Sequence, residues 1–340
     1  MNKKIKHNII LSIIFIILTI ICFAEPSCKN IFDKQFMQSL NPDPNKPFGI
    51  KSAAYIDDVF YIYLGDTIYT LTLDDTNPTP YCILPQNPGW DNIRNDVPLE
   101  ALPESERTQF EQAVEYIAAG DDVLWGYNLI SGKIGKIDKN GINWLPATLN
   151  TADFFEDGLF TIRYYMPQKS FVVNNNLYIF GENSGAKNFP HGMVLLCFDL
   201  DNGNYKLIDT KNTRSICAYK KDKILLAYGG SKKHMELGVL DLNTGNTENL
   251  PLTIPFPDRS DEYLSNIGCL AYNEQENRIN FAFGETPLAC EVWQSINGNA
   301  FNPVLHINAF AGESFEGWAL PNYIYVFYNV EDGLYVCSLN

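Results

Sequence analysis

Histidine is scarce in this chain of 340 residues, which contains four histidines and eight cysteines. The histidines beyond residue 24 stand far apart, at His191, His234 and His306, and the sequence has no Cys-x-x-Cys pair. A metal site needs clustered ligands, so the sequence predicts none. A G-x-S-x-G elbow and a phosphate-binding glycine loop are also missing. These absences leave every catalytic residue unassigned and favour a protein that is not an enzyme.

Basic residues are outnumbered, with 25 lysines and arginines against 40 aspartates and glutamates, which gives a net charge of −15. A chain of this charge repels the phosphates of nucleic acid and the anionic lipids of a membrane surface. We therefore exclude both as main partners.

Long apolar runs are confined to the first 24 residues. Lys3, Lys4 and Lys6 precede the stretch NIILSIIFIILTIICFA, which ends with small residues at Cys22 and Ala24. This is the pattern of a secretory signal peptide, so we predict cleavage after Ala24 and a periplasmic or secreted chain with a net charge of −18. The run is shorter than the ~20 residues of a typical membrane span, which makes retention as an anchor the lesser alternative.

Seven cysteines remain once Cys22 is removed, which is an odd number. Four lie inside apolar strand patterns, where a thiol often serves as a small buried hydrophobe: Cys197, Cys217, Cys269 and Cys337. Cys28 and Cys82 lie outside those patterns and are the best candidates for a disulfide, although connectivity does not follow from sequence.

One unit of four short strands recurs along the rest of the chain. In residues 214–252 it consists of RSICAYKK, DKILLAYGG, MELGVLDL and NTGNTENLPL, the last containing a hairpin-forming Asn-Thr-Gly. Units of this size are typical of β-propeller blades. We count six, with second strands predicted to begin near Val59, Val123, Leu177, Lys223, Arg278 and Tyr323.

The sixth unit lacks its outer strand because the sequence stops after three strands. The unassigned stretch NIFDKQFMQSL, residues 30–40, is expected to supply it and so remove an open sheet edge. We predict an all-β fold, a six-bladed β-propeller over residues 25–340 as a single domain, closed by pairing the N-terminal strand with the C-terminal blade. Seven blades or a pair of β-sandwiches are the alternatives.

Two inserts interrupt the repeat, at about 86–110 and 149–167. Residues 103–109 of the first are predicted to form a helical turn, and the second holds one extra strand-like run. Insertions in a repeat fold map to loops on one face, often the binding face. The inserts carry aromatic side chains that could stack on a sugar or peptide, or could instead pack the inserts down: Trp90, Phe154, Phe155, Tyr164 and Tyr165.

Two short strings resemble the Asp-box repeat of sialidase-like propellers. In CEVWQSINGNAFNPV, residues 290–304, Ser295, Asn297 and Phe301 stand near the Ser, Asp and aromatic positions of that repeat, with Asn in place of Asp. KIDKNGINW, residues 136–144, is a second near match that has no Ser. The chain as a whole resembles a bacterial extracytoplasmic β-propeller. The Asp-box resemblance implies a fold-stabilising turn and raises a carbohydrate-active hydrolase as the alternative function.

The residues that lead the six innermost strands are the candidate binding site. In a propeller these strands line the central channel, so their first residues meet at one mouth. The leading residues are Lys51, Glu111, Lys169, Arg214, Leu264 and Glu313. The residues that follow them are Ser52, Gln112, Ser170, Ser215, Ser265 and Ser314. Three basic groups and a collar of hydroxyls in an acidic protein favour a small anion or an acidic side chain as ligand. The alternative is that the serines satisfy backbone groups at the strand starts and the charges are merely hydrated.

Acidic pairs such as Asp57-Asp58 and Asp121-Asp122 fall at predicted turns, where Asp favours the bend. Ca²⁺ on one of these loops is the only cofactor that the sequence leaves open. The sequence thus predicts a secreted or periplasmic binding module for a protein, glycan or small anion. A sialidase-like or other glycosidase on the same scaffold is the alternative.

Overall fold

The computed structural model describes residues 28–32, 50–57, 59–72, 75, 78–85, 103–120, 122–151, 160–162, 170–183, 192–210, 213–228, 234–255, 268–286, 289–308, 316–319, 324–329 and 333–338. The predicted signal peptide lies outside them. Among the described residues, no helix has the length and apolar character needed to cross a membrane.

The described strands fall into six four-strand groups, numbered here in chain order. Group 1 comprises β2 (Ile50–Ile56), β3 (Val59–Leu64), β4 (Thr67–Leu71) and β5 (Thr79–Ile83). Group 2 comprises β6 (Tyr116–Gly120), β7 (Val123–Tyr127), β8 (Lys133–Asp138) and β9 (Gly141–Thr148). Group 3 comprises β11 (Ser170–Val173), β12 (Asn176–Asn183), β13 (Gly192–Asp199) and β14 (Tyr205–Asp209).

The second half of the chain repeats the pattern. Group 4 comprises β15 (Thr213–Lys220), β16 (Lys223–Tyr228), β17 (His234–Asp241) and β18 (Thr247–Pro255). Group 5 comprises β19 (Gly268–Asn273), β20 (Arg278–Thr286), β21 (Ala289–Ile296) and β22 (Asn302–Asn308). Group 6 comprises β23 (Glu316–Ala319), β24 (Ile324–Asn329), β25 (Gly333–Ser338) and, from the other end of the chain, β1 (Cys28–Phe32).

Every group is an up-and-down antiparallel sheet, and four of the six are separate sheets. Groups 2 and 3 form one nine-stranded sheet, because β6 and β11 run parallel and pair at Ala119 and Phe171. The ninth strand is β10 (Phe160–Ile162), which pairs with β12. The extra strand predicted in the second insert therefore exists and belongs to group 3.

Groups 1 to 5 pack face to face through apolar clusters. Tyr63, Ile68 and Ile117 belong to a cluster between groups 1 and 2, and further clusters join groups 2 to 3, 3 to 4 and 4 to 5. The second strand of a group is therefore covered by apolar side chains on both faces. This explains why β16, the second strand of group 4, is almost continuously apolar and buried over its sequence KILLAY. The first strands of neighbouring groups also touch, as β2 does β6 and β15 does β19. This arrangement is of the β-propeller type and confirms the all-β class.

The predicted strand starts are accurate to one residue, since the second strands begin at 59, 123, 176, 223, 278 and 324. The single described helix, α1 (Glu104–Gln112), lies in the first insert where a helical turn is predicted. The N-terminal strand pairs with the last strand as expected, with β1 antiparallel to β25. It begins two residues earlier than the stretch proposed for it.

The predicted Cys28–Cys82 disulfide is wrong, because Cys82 is a free cysteine. Cys82 lies on β5 and is buried in the cluster between groups 1 and 2, among Tyr63, Ile68 and Leu84. Burial raises the pKa of its thiol to about 11. The strand pattern of PYCIL is short and begins with proline, which hid this buried position in the sequence.

Candidate functional site

The candidate site is the end of the groups at which the first strands begin, called the entry face below. Because strands alternate in direction within a group, two kinds of connection lie at this end: those from a fourth strand to the next group, and those from a second to a third strand. Both inserts are connections of the first kind, since they join β5 to β6 and β9 to β11. The topology therefore brings the inserts to the same end as the leading residues.

Two of the predicted basic residues share an unusual backbone position. In group 1, Ile50 pairs with Leu64 and Ser52 with Tyr63, so Lys51 is an extra residue in the first strand. In group 4, Thr213 pairs with Tyr228 and Ser215 with Ala227, so Arg214 is extra in the same way. An extra residue on one strand is a β-bulge, a device that re-aims a side chain and is common beside functional sites.

The serines that follow these residues are buried and bonded across group boundaries. The Ser52 Oγ accepts a hydrogen bond from the Ile117 N–H at 2.8 Å, and the Ser170 Oγ donates to the Ile117 carbonyl at 3.2 Å. The Ser215 Oγ accepts from the Leu270 N–H at 2.9 Å. Each hydroxyl thus ties the first strand of its group to that of a neighbour. These serines therefore bond to backbone groups, which is the alternative given for them in the sequence analysis. Their contact with a ligand remains a prediction.

Replacing Ser215 by alanine tests this bond. The buried Leu270 N–H would lose its acceptor, so we expect the free energy of unfolding to fall by about 1–2 kcal/mol. Urea unfolding of the purified chain measures the change. The matched control is Thr70→Ala, which removes an exposed hydroxyl bonded to the Thr79 carbonyl and should cost little. Equal losses in the two variants would show that Ser215 does not join groups 4 and 5.

The leading residue of group 2 differs from the prediction. Glu111 and Gln112 are the last residues of α1, and the Glu111 carboxylate lies 4.0 Å from Arg107 one turn earlier. Ser52 and Ser215 pair with the fifth residue of their second strands, and in group 2 that residue, Tyr127, pairs with Tyr116. Glu115, the residue before Tyr116, therefore stands where Lys51 and Arg214 stand. The helix runs to Gln112, which is further than predicted. The first strand of group 2 therefore begins four residues later than the alignment of the repeats assumed.

Glu115 is a buried acid that sequence reasoning missed. Its side chain is buried, and the Oε2 atom accepts a hydrogen bond from the Leu129 N–H at 2.5 Å. The neighbouring Tyr127 is fully buried. Burial raises the pKa of the Tyr127 phenol, and the negative charge of Glu115 raises it further. The buried carboxyl group of Glu115 and the buried phenol of Tyr127 thus belong to the start of group 2, at the entry face.

Asn128 fastens the helix to group 2 and was also missed. Its Nδ2 donates to the carbonyls of Phe110 and Ala113, at 2.7 and 2.9 Å. Its Oδ1 accepts from the N–H groups of Ile130 and Ser131, both at 2.9 Å. The side chain is entirely buried. The string YNLISG carried a signal for this role. Asn side chains at turns commonly accept a hydrogen bond from the backbone N–H two residues further on.

Several predicted residues lie outside the described residues: Lys169, Leu264, Ser265, Glu313, Ser314 and the aromatic residues Trp90, Phe154, Phe155, Tyr164 and Tyr165. For Ca²⁺, no group of three or more His, Cys, Asp or Glu residues clusters in the described part of the chain. Asp57 and Asp122 lie at turns with positive φ, as the turn interpretation of the acidic pairs expects.

The Asp-box-like strings fall at hairpins between third and fourth strands. Ser295 donates through Oγ to the Asn299 carbonyl, Asn297 and Gly298 have positive φ, and Phe301 packs into the cluster between groups 4 and 5. In the second string Asp138 accepts from the Asn140 N–H at 2.7 Å. These contacts stabilise turns at the end opposite the entry face.

Comparison with known proteins gives structural similarity only. No family model matches the sequence, and no curated protein matches it. A gluconolactonase from Xanthomonas campestris is 7% identical with a TM-score of 0.48, covering 94% of this chain and 91% of that one. SapL1 lectin in complex with alpha methyl fucoside is 10% identical with a TM-score of 0.47, covering 86% and 93%. A GH74 xyloglucanase from X. campestris is 14% identical with a TM-score of 0.43, covering 85% of this chain and 44% of that one. The chain therefore spans less than half the length of the xyloglucanase.

Proposed function

We propose that the chain is an extracytoplasmic, six-bladed β-propeller that binds an acidic ligand at the entry face. Each four-strand group is one blade, and β1 closes the ring by completing group 6. Lys51, Lys169 and Arg214 hold the ligand, which is a small anion, an acidic sugar or an acidic side chain of a protein partner. The observation that carries the proposal is the shared bulge: two blades insert one extra residue at the same place, and both times it is basic.

Serine hydroxyls and apolar side chains join neighbouring blades. The serine beside each basic residue already ties the first strands together, and the apolar clusters hold the blades. Exposed charges are screened beyond roughly 8–10 Å at physiological ionic strength, so contact with nearby lysine and arginine outweighs the repulsion from a net charge of −15.

Arg214→Ala tests the role of this face. The full chain is titrated by calorimetry with sulfate, phosphate, citrate and glucuronate. At least one is expected to bind, and Arg214→Ala is expected to weaken it about tenfold through loss of a charge-assisted hydrogen bond. Lys221→Ala is the matched control, because Lys221 is an exposed residue in the β15–β16 turn, at the opposite end of the same group. Equal weakening in both variants, or no binding by any of the four anions, would contradict the proposal.

A glycoside hydrolase is the second candidate, and Glu115 is the observation that favours it. Most such enzymes need two positioned carboxyl groups, one of them in an environment that disfavours its charge. Glu115 is a buried carboxyl group at the entry face, and Glu111 lies near it in sequence on the same face. The test is release of a chromogenic aglycone from aryl glycosides. Release by the wild type that is abolished in Glu115→Gln would favour the hydrolase over the binding module.

A further inference from the structure

The register of the first and last strands brings two cysteines to opposite positions. In the β1–β25 pair, Cys28 lies opposite Cys337, Lys29 opposite Val336 and Asn30 opposite Tyr335. Directly opposed residues of an antiparallel pair have Cα atoms about 4.5–5.5 Å apart. Disulfides span Cα separations of about 4.4–6.8 Å, so the Cα separation expected for this register lies within their range.

No other described pairing sets a cysteine against a cysteine. Cys82 pairs with Ile68, Cys217 with Leu225 and Cys269 with Ala282. Cys197 lies between Tyr178 and Lys206, and Cys290 between Gly284 and Ile307.

The buried thiols are poor competitors for oxidation. Cys82, Cys197 and Cys217 are free and buried. Burial raises the pKa of all three thiols, which lowers the fraction of the reactive thiolate. The seven cysteines expected after signal cleavage thus include three that the structure removes from consideration as partners for Cys28.

We propose that Cys28 and Cys337 form a disulfide that fastens the first strand to the last. Each thiol gives up one proton and one electron to an external disulfide of the glutathione type, which is reduced to two thiols as the new S–S bond forms. The bond requires an oxidising compartment and therefore rests on the extracytoplasmic part of the proposed function. It requires no ligand, so it can fail while binding at the entry face stands.

A covalent bond at this position would hold β1 and β25 together and so oppose the separation of the first strand from group 6. The β1–β25 pairing joins the two ends of the chain, so every residue between 28 and 337 lies inside the loop that the disulfide closes. A cross-link that closes a long loop restricts the unfolded chain more than one that closes a short loop. Reduction is thus expected to lower the thermal midpoint by a large amount, on the order of 10 °C.

Peptide mapping of the wild-type chain is the direct test and needs no variant. The purified chain is equilibrated with oxidised glutathione, unfolded in the presence of an alkylating reagent and digested without reductant. We expect a linked pair of peptides containing Cys28 and Cys337, while the peptides of Cys82 and Cys217 carry the alkyl label as internal controls. Alkylation of both terminal cysteines, or their linkage to other cysteines or to a second chain, would overturn the proposal.

The double variant Cys28→Ser/Cys337→Ser assigns the effect on stability. Dithiothreitol should lower the thermal midpoint of the wild type and leave that of the double variant unchanged. A shift of equal size in both would place the responsible bond elsewhere and also overturn the proposal. Calorimetric titration of the double variant with the same four anions reports on the entry face separately.

Discussion

Gly203→Ala is expected to lower the free energy of unfolding by about 3 kcal/mol, while Gly245→Ala lowers it by only about 1 kcal/mol. The two glycines occupy the same turn in neighbouring groups, in the strings DLDNGN and DLNTGN. Gly203 has φ +73° and Gly245 has φ +72°. Their N–H groups donate to the carbonyls of Asp199 and Asp241, at 2.7 and 2.8 Å. The strain of placing alanine in the left-handed region is therefore common to both.

The surroundings of the two glycines differ. A Cβ at Gly203 would lie 1.8 Å from the carbonyl oxygen of Thr148, whereas a Cβ at Gly245 would meet nothing within 4 Å. The obstructing atom is backbone, and the Asn150 N–H donates to the Gly203 carbonyl at 2.8 Å, so the contact cannot relax by rotating a side chain. The turn of group 3 thus lies in close contact with the end of group 2, whereas a Cβ at Gly245 in the turn of group 4 meets none of the described residues.

Thermal and urea unfolding of both variants measure the difference. Alanine at 245 reports the backbone strain alone, so subtracting its effect isolates the close approach between groups 2 and 3. If the two variants lose the same stability, the contact between Gly203 and Thr148 does not exist in solution.

Asn128→Ala is expected to cost about 3 kcal/mol, since it removes the side-chain partner of two buried carbonyls and of two half-buried N–H groups. The carbonyls are at the C-terminal end of α1 and the residue after it, and the N–H groups are in the turn after β7. Asn128→Asp keeps the acceptor for the N–H groups but turns an oxygen toward the two carbonyls, so it should be no more stable than alanine. Asn143→Ala is the control, because Asn143 is exposed and its amide donates to the exposed Asp138 carboxylate at 3.1 Å.

The site of the damage can be read separately from its size. Arg107 lies on α1. Trypsin can cleave after this arginine only when α1 unfolds locally or detaches from group 2. Asn128→Ala should therefore speed cleavage after Arg107 under native conditions, and Gly203→Ala should not do so preferentially. Unchanged cleavage at Arg107 in the asparagine variant would show that α1 is held by other contacts.

Much of the fold could be predicted because the repeat is local. Strands such as DKILLAYGG and turns such as Asn-Thr-Gly carry their own periodicity and bend, and the second strands begin where those patterns do. The pairing of β1 with β25 could be predicted because the sixth repeat lacks its outer strand in the sequence. Contacts between groups are different, since nothing in KSAAY states that Ser52 accepts from Ile117, 65 residues away.

The errors at the candidate site have the same origin. Glu111 was aligned with Lys51 by spacing, but the helix runs through Gln112 and shifts the position to Glu115. Cys82 was paired with Cys28 because neither lay in a central apolar pattern, yet burial of Cys82 depends on side chains from group 2. The bulges at Lys51 and Arg214 could not be foreseen, because a bulge is defined by the partner strand rather than by the strand that contains it.

The parallel pairing of β6 with β11 has a consequence for how the molecule comes apart. The other four groups are separate sheets in the described part of the chain, so such a group can loosen without breaking a ladder of hydrogen bonds shared with its neighbour. Groups 2 and 3 share one sheet through the pair Ala119 and Phe171. Gly120 leaves no room between them, since a Cβ would lie 1.9 Å from the Val172 carbonyl oxygen. These two groups are thus expected to stay together, and partial opening of the fold is expected at another boundary between groups before it occurs at this one.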